Sequence, residues 1–275
     1  MKKSLLKKEP ISLEVQGVEV TISAMYRPGE GVPIVFLHGF GSTKEDYADV
    51  AFHAQFNDRP LIAYDAPGCG ETACEDLSAI SISFLLETAR HVLAHYEVNT
   101  FHVVGHSMGG LTALMLAHGA GERCLSFFNI EGNIAPEDCF LSRQILEFPT
   151  DDPQEFMQLF IERVWNDPVF SHPLFAASLP HKVRAQAVAP IFRSMVEVSD
   201  NEPLMEMFTG LHGAKMFVYG DVNDTLSYLP DLPRRGVQLA KIKKSGHFPM
   251  YANAPALWEQ LGAFIDQTEL ELKHG

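Results

Sequence analysis

The sequence predicts an α/β fold: a mostly parallel central sheet flanked by helices and interrupted once by a helical insertion. Three observations carry this. Short apolar runs alternate with stretches of helical spacing over most of the chain, the pattern of strand–helix–strand units joined by right-handed crossovers. The alternation stops near Ala135 and returns after Leu211. Between those points short helical patterns are punctuated by Pro136, Pro149, Pro153, Pro168, Pro173, Pro180, Pro190 and Pro203. Finally, FHVVGHSMGG at residues 101–110 sets a serine on a strand-to-helix turn. The expected division is a core of residues 1–134 and 212–275 and an insertion of residues 135–211.

Taken in order, residues 12–15 and 18–23 alternate polar and apolar side chains around Gly17, the signature of a β-hairpin. Residues 33–37 form an apolar run that enters His38-Gly39-Phe40-Gly41. Helical spacing follows over 43–56. The next strand, 61–64, ends in the turn-rich Asp65-Ala66-Pro67-Gly68-Cys69-Gly70. Residues 81–95 are amphipathic and predict a helix. A strand from Phe101, the serine turn and the helix LTALMLAHGA come next, then a strand over 125–130 that enters Glu131-Gly132-Asn133. After the insertion, 215–219 and 237–242 are the last strands. Ser245-Gly246-His247 and a closing helix over 255–266 complete the chain.

Composition narrows the function classes. With 275 residues and 46% hydrophobic composition, the chain can bury a sizeable core without a disulfide or metal staple. Its net charge of −14 argues against nucleic acid or an anionic membrane as partner. Cys69, Cys74, Cys124 and Cys139 form no C-x-x-C pair and have no zinc-type spacing, as expected of isolated thiols in a reducing compartment. The start, MKKSLLKKEP, is basic but lacks the apolar stretch of a signal peptide. No apolar run reaches the ~18 residues of a membrane span. These features predict a cytoplasmic protein with a small-molecule partner, and leave a homodimer open. His91 and His95 stand four apart on a helix, yet no Glu or Cys motif accompanies them, so they read as a solvated face. No glycine loop fits a dinucleotide fingerprint. Neither a metal nor a cofactor is expected.

Gly105-His106-Ser107-Met108-Gly109 follows the G-x-S-x-G pattern. A serine on a sharp strand-to-helix turn presents its hydroxyl, and glycines on either side remove the side chains that would block the turn. The helix N-terminus sets backbone N–H groups and a positive dipole end beside it, as a nucleophile that generates an oxyanion requires.

Four ordered motifs now resemble the α/β-hydrolase family: His38-Gly39-Phe40-Gly41 after the third strand, Asp65 to Gly70 after the fourth, the Ser107 turn, and Ser245-Gly246-His247 near the end. The resemblance spans nearly the whole chain outside 135–211, which in that family is a helical cap. It implies an α/β-hydrolase fold with Ser107 as nucleophile and His247 as its base. It also implies an oxyanion hole made by the backbone N–H groups of Phe40 and Met108. His38 and His106 then serve structure, and Asp65 holds its loop.

The acid partner of His247 is less direct. The family usually places it as G-x-x-D after the penultimate strand, where this chain has Gly220-Asp221-Val222-Asn223-Asp224. Asparagine stands at the expected position and cannot stabilise an imidazolium by charge. Some members place the acid after the strand that follows the elbow helix, which here is Glu131. An acid ending an apolar strand is poorly explained as a solvated charge, so Glu131 is the favoured assignment. Asp224 and Asp221 stay open as alternatives.

The expected activity is hydrolysis of a small or medium carboxylic ester or lactone by a cofactor-free serine enzyme. Amidase or deformylase chemistry and C–C bond hydrolysis use the same constellation and stay open. A haloperoxidase side reaction also stays open, since cofactor-free haloperoxidases share the serine elbow. So does a ligand-binding receptor on the same fold, which turnover of aryl acetates would separate. An aspartate-nucleophile route is disfavoured by Ser107 itself. Within 135–211, Phe156, Phe160, Trp165, Phe170, Phe175, Phe192, Met195, Met205, Met207 and Phe208 are expected mostly to pack the insertion, with a few lining an apolar pocket. Arg143 could meet a substrate carboxylate, but reads more simply as a surface arginine.

Overall fold

The computed structural model describes residues 6–147, 152–169 and 171–274. Residues 1–5 of the basic start, and Pro149 and Phe170 of the insertion, lie outside these. One sheet runs in the order β1-β2-β4-β3-β6-β7-β8-β9. Its strands are β1 (Lys7–Val15), β2 (Val18–Arg27), β3 (Ile34–Leu37), β4 (Leu61–Tyr64), β6 (Phe101–His106), β7 (Cys124–Ile130), β8 (Ala214–Gly220) and β9 (Gln238–Ile242). A short β5 (Ala73–Cys74) pairs with β2. β1 and β2 are antiparallel to each other, and β2 is antiparallel to β4. Every pair from β4 onward is parallel.

The hairpin turns at Gln16-Gly17, both with positive φ (50° and 81°), the backbone of the tight turns that match strand twist. It is longer than the alternating residues suggest. Lys7 to Pro10 extend the first strand through polar sequence and pair with Ser23 to Tyr26 of the second. β3 and β4 are buried along their whole length, as parallel strands covered on both faces must be.

Helices α1 (Ile82–His95), α2 (Met108–Ala120) and the closing α8 (Ala254–His274) flank the sheet, with a short α7 (Pro249–Ala252) before the last. Trp258 and Phe264 of α8 meet Tyr47 and Phe128 edge-on or tilted at 6.2 and 5.9 Å. Burial of each such ring is worth roughly 1.5–3 kcal/mol. α8 runs eight residues past the expected end at 266. Its added turns are supported by the Thr268 hydroxyl on the Phe264 carbonyl and by Glu269 on the Arg59 guanidinium.

The segment 43–56 departs from expectation: it forms 3-10 turns, Lys44–Phe52 and Ala54–Phe56, and no α-helix. Of its buried residues Lys44, Tyr47, Val50 and Ala51, the first three recur every three residues, the period of a 3-10 turn. The Lys44 backbone N–H and Nζ both bond the buried Asp65 carboxylate, at 2.9 and 2.8 Å, which draws the start of the segment inward.

The insertion contains α3 (Pro153–Trp165), α4 (His172–Lys182), α5 (Ala185–Asn201) and α6 (Leu204–Thr209), preceded by 3-10 turns Pro136–Cys139 and Ser142–Leu146. Several of the prolines start these elements: Pro136, Pro153 and Pro173 sit in first turns, where a missing N–H costs nothing. Pro180 and Pro190 lie inside helices. Phe156, Phe160, Phe175, Phe192, Met195, Met207 and Phe208 are buried and Met205 is half-buried, whereas Trp165 is exposed rather than packed.

Candidate active site

The loops that matter leave the carboxyl ends of β3, β6, β7, β8 and β9, the edge where open α/β sheets bind ligands. Adjacent strands carry the ladder into the site. The N–H of Ser107, just past β6, bonds the Ile130 carbonyl of β7, and the N–H of Glu131, just past β7, bonds the Val218 carbonyl of β8, both at 3.0 Å.

Ser107 has φ 51° and ψ −120°, a conformation that costs a non-glycine residue about 1–3 kcal/mol. Tight packing holds it there. A Cβ on Gly109 would lie 2.2 Å from the Leu37 carbonyl, so only glycine lets α2 start this close to β3. Met108 opens α2, and its N–H has no acceptor within the helix. On the facing loop, the Gly39 carbonyl accepts from His38 Nδ1 at 2.8 Å and from the Ser42 N–H at 3.1 Å. His38 Nε2 accepts from the Ala66 N–H, which fixes Nδ1 as the donor. Burial lowers the His38 pKa, so the ring stays neutral. These bonds pin the peptide plane that ends in the Phe40 N–H.

His247 Nδ1 lies 2.7 Å from Glu131 Oε2. A carboxylate only accepts, so Nδ1 carries the proton and Nε2 is left as a base. The Glu131 carboxylate is 6% exposed. It also accepts from the Gly220 N–H on Oε1 at 2.8 Å and from Asn223 Nδ2 on Oε2 at 2.7 Å. Gly220 has no room for a side chain, since a Cβ would stand 2.3 Å from the Ser245 carbonyl. β8 thereby abuts the loop that carries His247. His106 secures the same loop from the other side. Its Nε2–H donates to the His247 carbonyl at 2.8 Å, and burial drives its pKa well down. No hydrogen bond joins Ser107 Oγ to His247 among the described residues; such contacts often tighten only when substrate is bound.

The two other acids are engaged elsewhere. Asp221 accepts from the N–H groups of Lys244 and Ser245 at 2.9 and 3.0 Å, and these bonds lower its pKa. Asp224 pairs with Lys241 at 3.2 Å on the surface. Asp65 is buried against Lys44 and the Glu71 N–H, and holds its loop. Arg143 is half-buried and paired with Asp200. His91 is half-buried and His95 exposed, and they stand near Glu87 and Glu9, respectively. The four cysteines are free thiols. Among the described residues, no group of three or more His, Cys, Asp or Glu side chains could hold a metal, and no helix is long and apolar enough to cross a membrane.

Helices of the insertion reach the same loops. Phe192 and Phe160 meet Phe40 edge-on at 4.6 and 6.0 Å, and Phe175 stacks on Phe248 at 4.1 Å. The junction of α4 and α5 is tied to the loop after β4 by Gly70 N–H to the Lys182 carbonyl and Arg184 N–H to the Gly68 carbonyl. Lys182 Nζ also bonds Asp46 and Tyr251. A cavity of about 210 Å³ opens beside His247. Phe140, Phe160, Phe175 and Phe248 give it an apolar wall, and Arg163 and His172 add polar groups.

A family model described as "Alpha/beta hydrolase family" matches residues 34–260. The chain belongs to the alpha/beta hydrolase family. Among curated relatives, an esterase of Mycobacterium tuberculosis is 34% identical over 105 residues, 38% of this chain and 34% of that protein. The first curated relatives are matched over only 22%, 25% and 33% of their own lengths. Solved structures align along nearly the whole chain. A carboxylesterase of Nitrososphaera gargenis has a TM-score of 0.76 at 14% identity, covering 95% of this chain and 100% of that one. An N-acyl homoserine lactonase has a TM-score of 0.73 at 14% identity, covering 96% and 97%. At these identities the likeness shows the fold.

Asn223 is the residue of this cluster that the sequence does not mark as a donor, since an asparagine at the expected acid position reads only as a missing charge. The signal was an amide side chain at the place where a carboxylate was expected. His172 and Phe140 beside the cavity carried no comparable signal.

Proposed function

We propose that this protein is a cofactor-free serine hydrolase that cleaves a small or medium carboxylic ester or lactone through an acyl-enzyme on Ser107. The observation that carries the reading is the 2.7 Å contact between His247 Nδ1 and the buried Glu131 carboxylate, on the strands beside the strained Ser107 turn. His247 Nε2 takes the Ser107 proton as Oγ attacks the carbonyl carbon. Glu131 holds the ring and stabilises the imidazolium that forms. The N–H groups of Phe40 and Met108 bind the oxyanion. The imidazolium then returns its proton to the departing alkoxide. A water, deprotonated by the same Nε2, attacks the acyl carbon; the tetrahedral intermediate then collapses, expelling Ser107 Oγ, which takes the proton back from the imidazolium as the acid is released.

The esterase among the curated relatives supports an ester bond, and the apolar wall beside His247 suits an acyl chain or ring. A panel of p-nitrophenyl esters, lactones and anilides tests this after EDTA treatment and dialysis. Turnover of esters or lactones that survives chelation is expected. Turnover confined to anilides, or lost on chelation and restored by a divalent ion, would overturn the reading.

In this reading the insertion 135–211 is a cap that sets substrate choice while the sheet loops set chemistry. Phe160→Ala should then change the ratio of kcat/KM between hexanoate and acetate esters by about tenfold or more, since each buried apolar group is worth roughly 1–3 kcal/mol of discrimination. An equal change for both esters would make the helix a structural cover only.

A further inference from the structure

We propose that the cavity beside His247 takes esters that carry a carboxylate, and that Arg163 is the residue that selects them. The inference deepens the Ser107 reading and rests on it. Arg163 lies in the last turn of α3 and lines that cavity together with His247. Its guanidinium carbon stands 5.5 Å over the Phe160 ring, and its Nη1 donates to Gln144 Oε1. Gln144 is fixed in turn, since its Nε2 donates to the Phe140 carbonyl at 3.0 Å. The Phe140 ring meets that of His247 edge-on at 6.2 Å. The wall beside the base of the reaction therefore also positions a guanidinium.

A ring and a neutral amide orient this cation without neutralising it. Among the described residues no carboxylate pairs with Arg163. The acid of the same wall is engaged elsewhere: Asp167 Oδ1 accepts from the Val169 N–H at 3.3 Å, and Oδ2 lies 3.2 Å from His172 Nδ1. A helix C-terminus favours any cation, but that preference does not require a planar fork seated over an aromatic ring at a cavity wall. The guanidinium presents five N–H groups in a geometry that matches a carboxylate, and Gln144 takes one of them. The phenylalanines of the wall offer no hydrogen bonds, so an apolar chain is the fitting link between an ester at Ser107 and a carboxylate at Arg163. Two ester classes meet this description: half-esters of dicarboxylic acids, charged on the acyl side, and esters of hydroxy acids, charged on the alcohol side. Arg163 is exposed, so water and salt screen the pair and the gain is of the order of tenfold.

The experiment measures kcat/KM for the wild type, Arg163→Met and Arg163→Lys, each checked for folding by circular dichroism, on two matched pairs of esters. Mono-p-nitrophenyl adipate against p-nitrophenyl hexanoate places the charge on the acyl side. γ-Acetoxybutyrate against butyl acetate places it on the alcohol side. The readout is the ratio of charged to neutral ester, in which any loss of packing on Phe160 common to both substrates cancels. In one of the two arms the wild-type ratio is expected to exceed that of Arg163→Met by about tenfold or more, with Arg163→Lys between them. Equal ratios in the wild type and a folded Arg163→Met protein, in both arms, would overturn the proposal. Calorimetric titration makes the same comparison without turnover. Ser107→Ala is expected to bind monomethyl adipate or γ-acetoxybutyrate about tenfold more tightly than Ser107→Ala with Arg163→Met, and equal binding of both ligands by the two proteins would also overturn it. Failure of the catalytic reading looks different: wild-type turnover in Ser107→Ala would refute the nucleophile and leave the ratios at Arg163 to be decided on their own.

Discussion

Replacing Ser107 by alanine is expected to abolish hydrolysis, with kcat lower by on the order of 10⁴-fold or more, while the protein stays folded. The serine side chain is only partly buried, so its loss removes the attacking oxygen and little packing. The strained backbone, φ 51°, is enforced by the close approach of Gly109 to β3 and does not depend on the hydroxyl. Thermal unfolding within a few degrees of wild type is therefore expected alongside the lost activity. Near-normal turnover by a folded Ser107→Ala protein would remove the basis of the serine-hydrolase reading.

The second large effect is expected at Glu131. Glu131→Gln keeps the size of the side chain and an oxygen for His247 Nδ1–H, yet supplies no charge to the imidazolium. It also turns an NH₂ toward one of the donors, Gly220 N–H or Asn223 Nδ2, that now serve the carboxylate. A fall in kcat of about 10²–10⁴-fold is expected. Asp221→Asn and Asp224→Asn should each cost less than about tenfold, because Asp221 staples the two loops through backbone N–H groups and Asp224 makes an exposed ion pair. Steady-state kinetics of the three variants decides the matter. A larger loss at Asp221 or Asp224 than at Glu131 would reverse the assignment.

Which parts of this site could be read from the chain alone follows from how local their causes are. The Ser107 turn is a five-residue event: close approaches on both sides of the strained serine demand Gly105 and Gly109, so the turn is written in consecutive letters. Glu131 was legible because an acid ending the apolar run FFNI needs a reason to be there. Its contact with His247 joins residues 116 apart, and its bond to Asn223 residues 92 apart. No periodicity encodes either distance; only the order of strands in the sheet brings them together. The segment 43–56 misled for a related reason. Apolar spacing over a few residues fits three residues per turn nearly as well as 3.6. The choice was made by Lys44 reaching the buried Asp65, a partner 21 residues away. Similarly, the prolines of the insertion read as breaks, although Pro136, Pro153 and Pro173 stand in the first turns of its elements.

The most direct test of the central claim is to stop the reaction with acid during turnover of p-nitrophenyl acetate and map the peptides by mass spectrometry. One acetyl group is expected, on Ser107. It should accumulate in a burst in the wild type, form more slowly in Glu131→Gln, and be absent in Ser107→Ala. Turnover with no covalent adduct at any time, or an acetyl group on a residue other than Ser107, would contradict an acyl-enzyme formed at this turn.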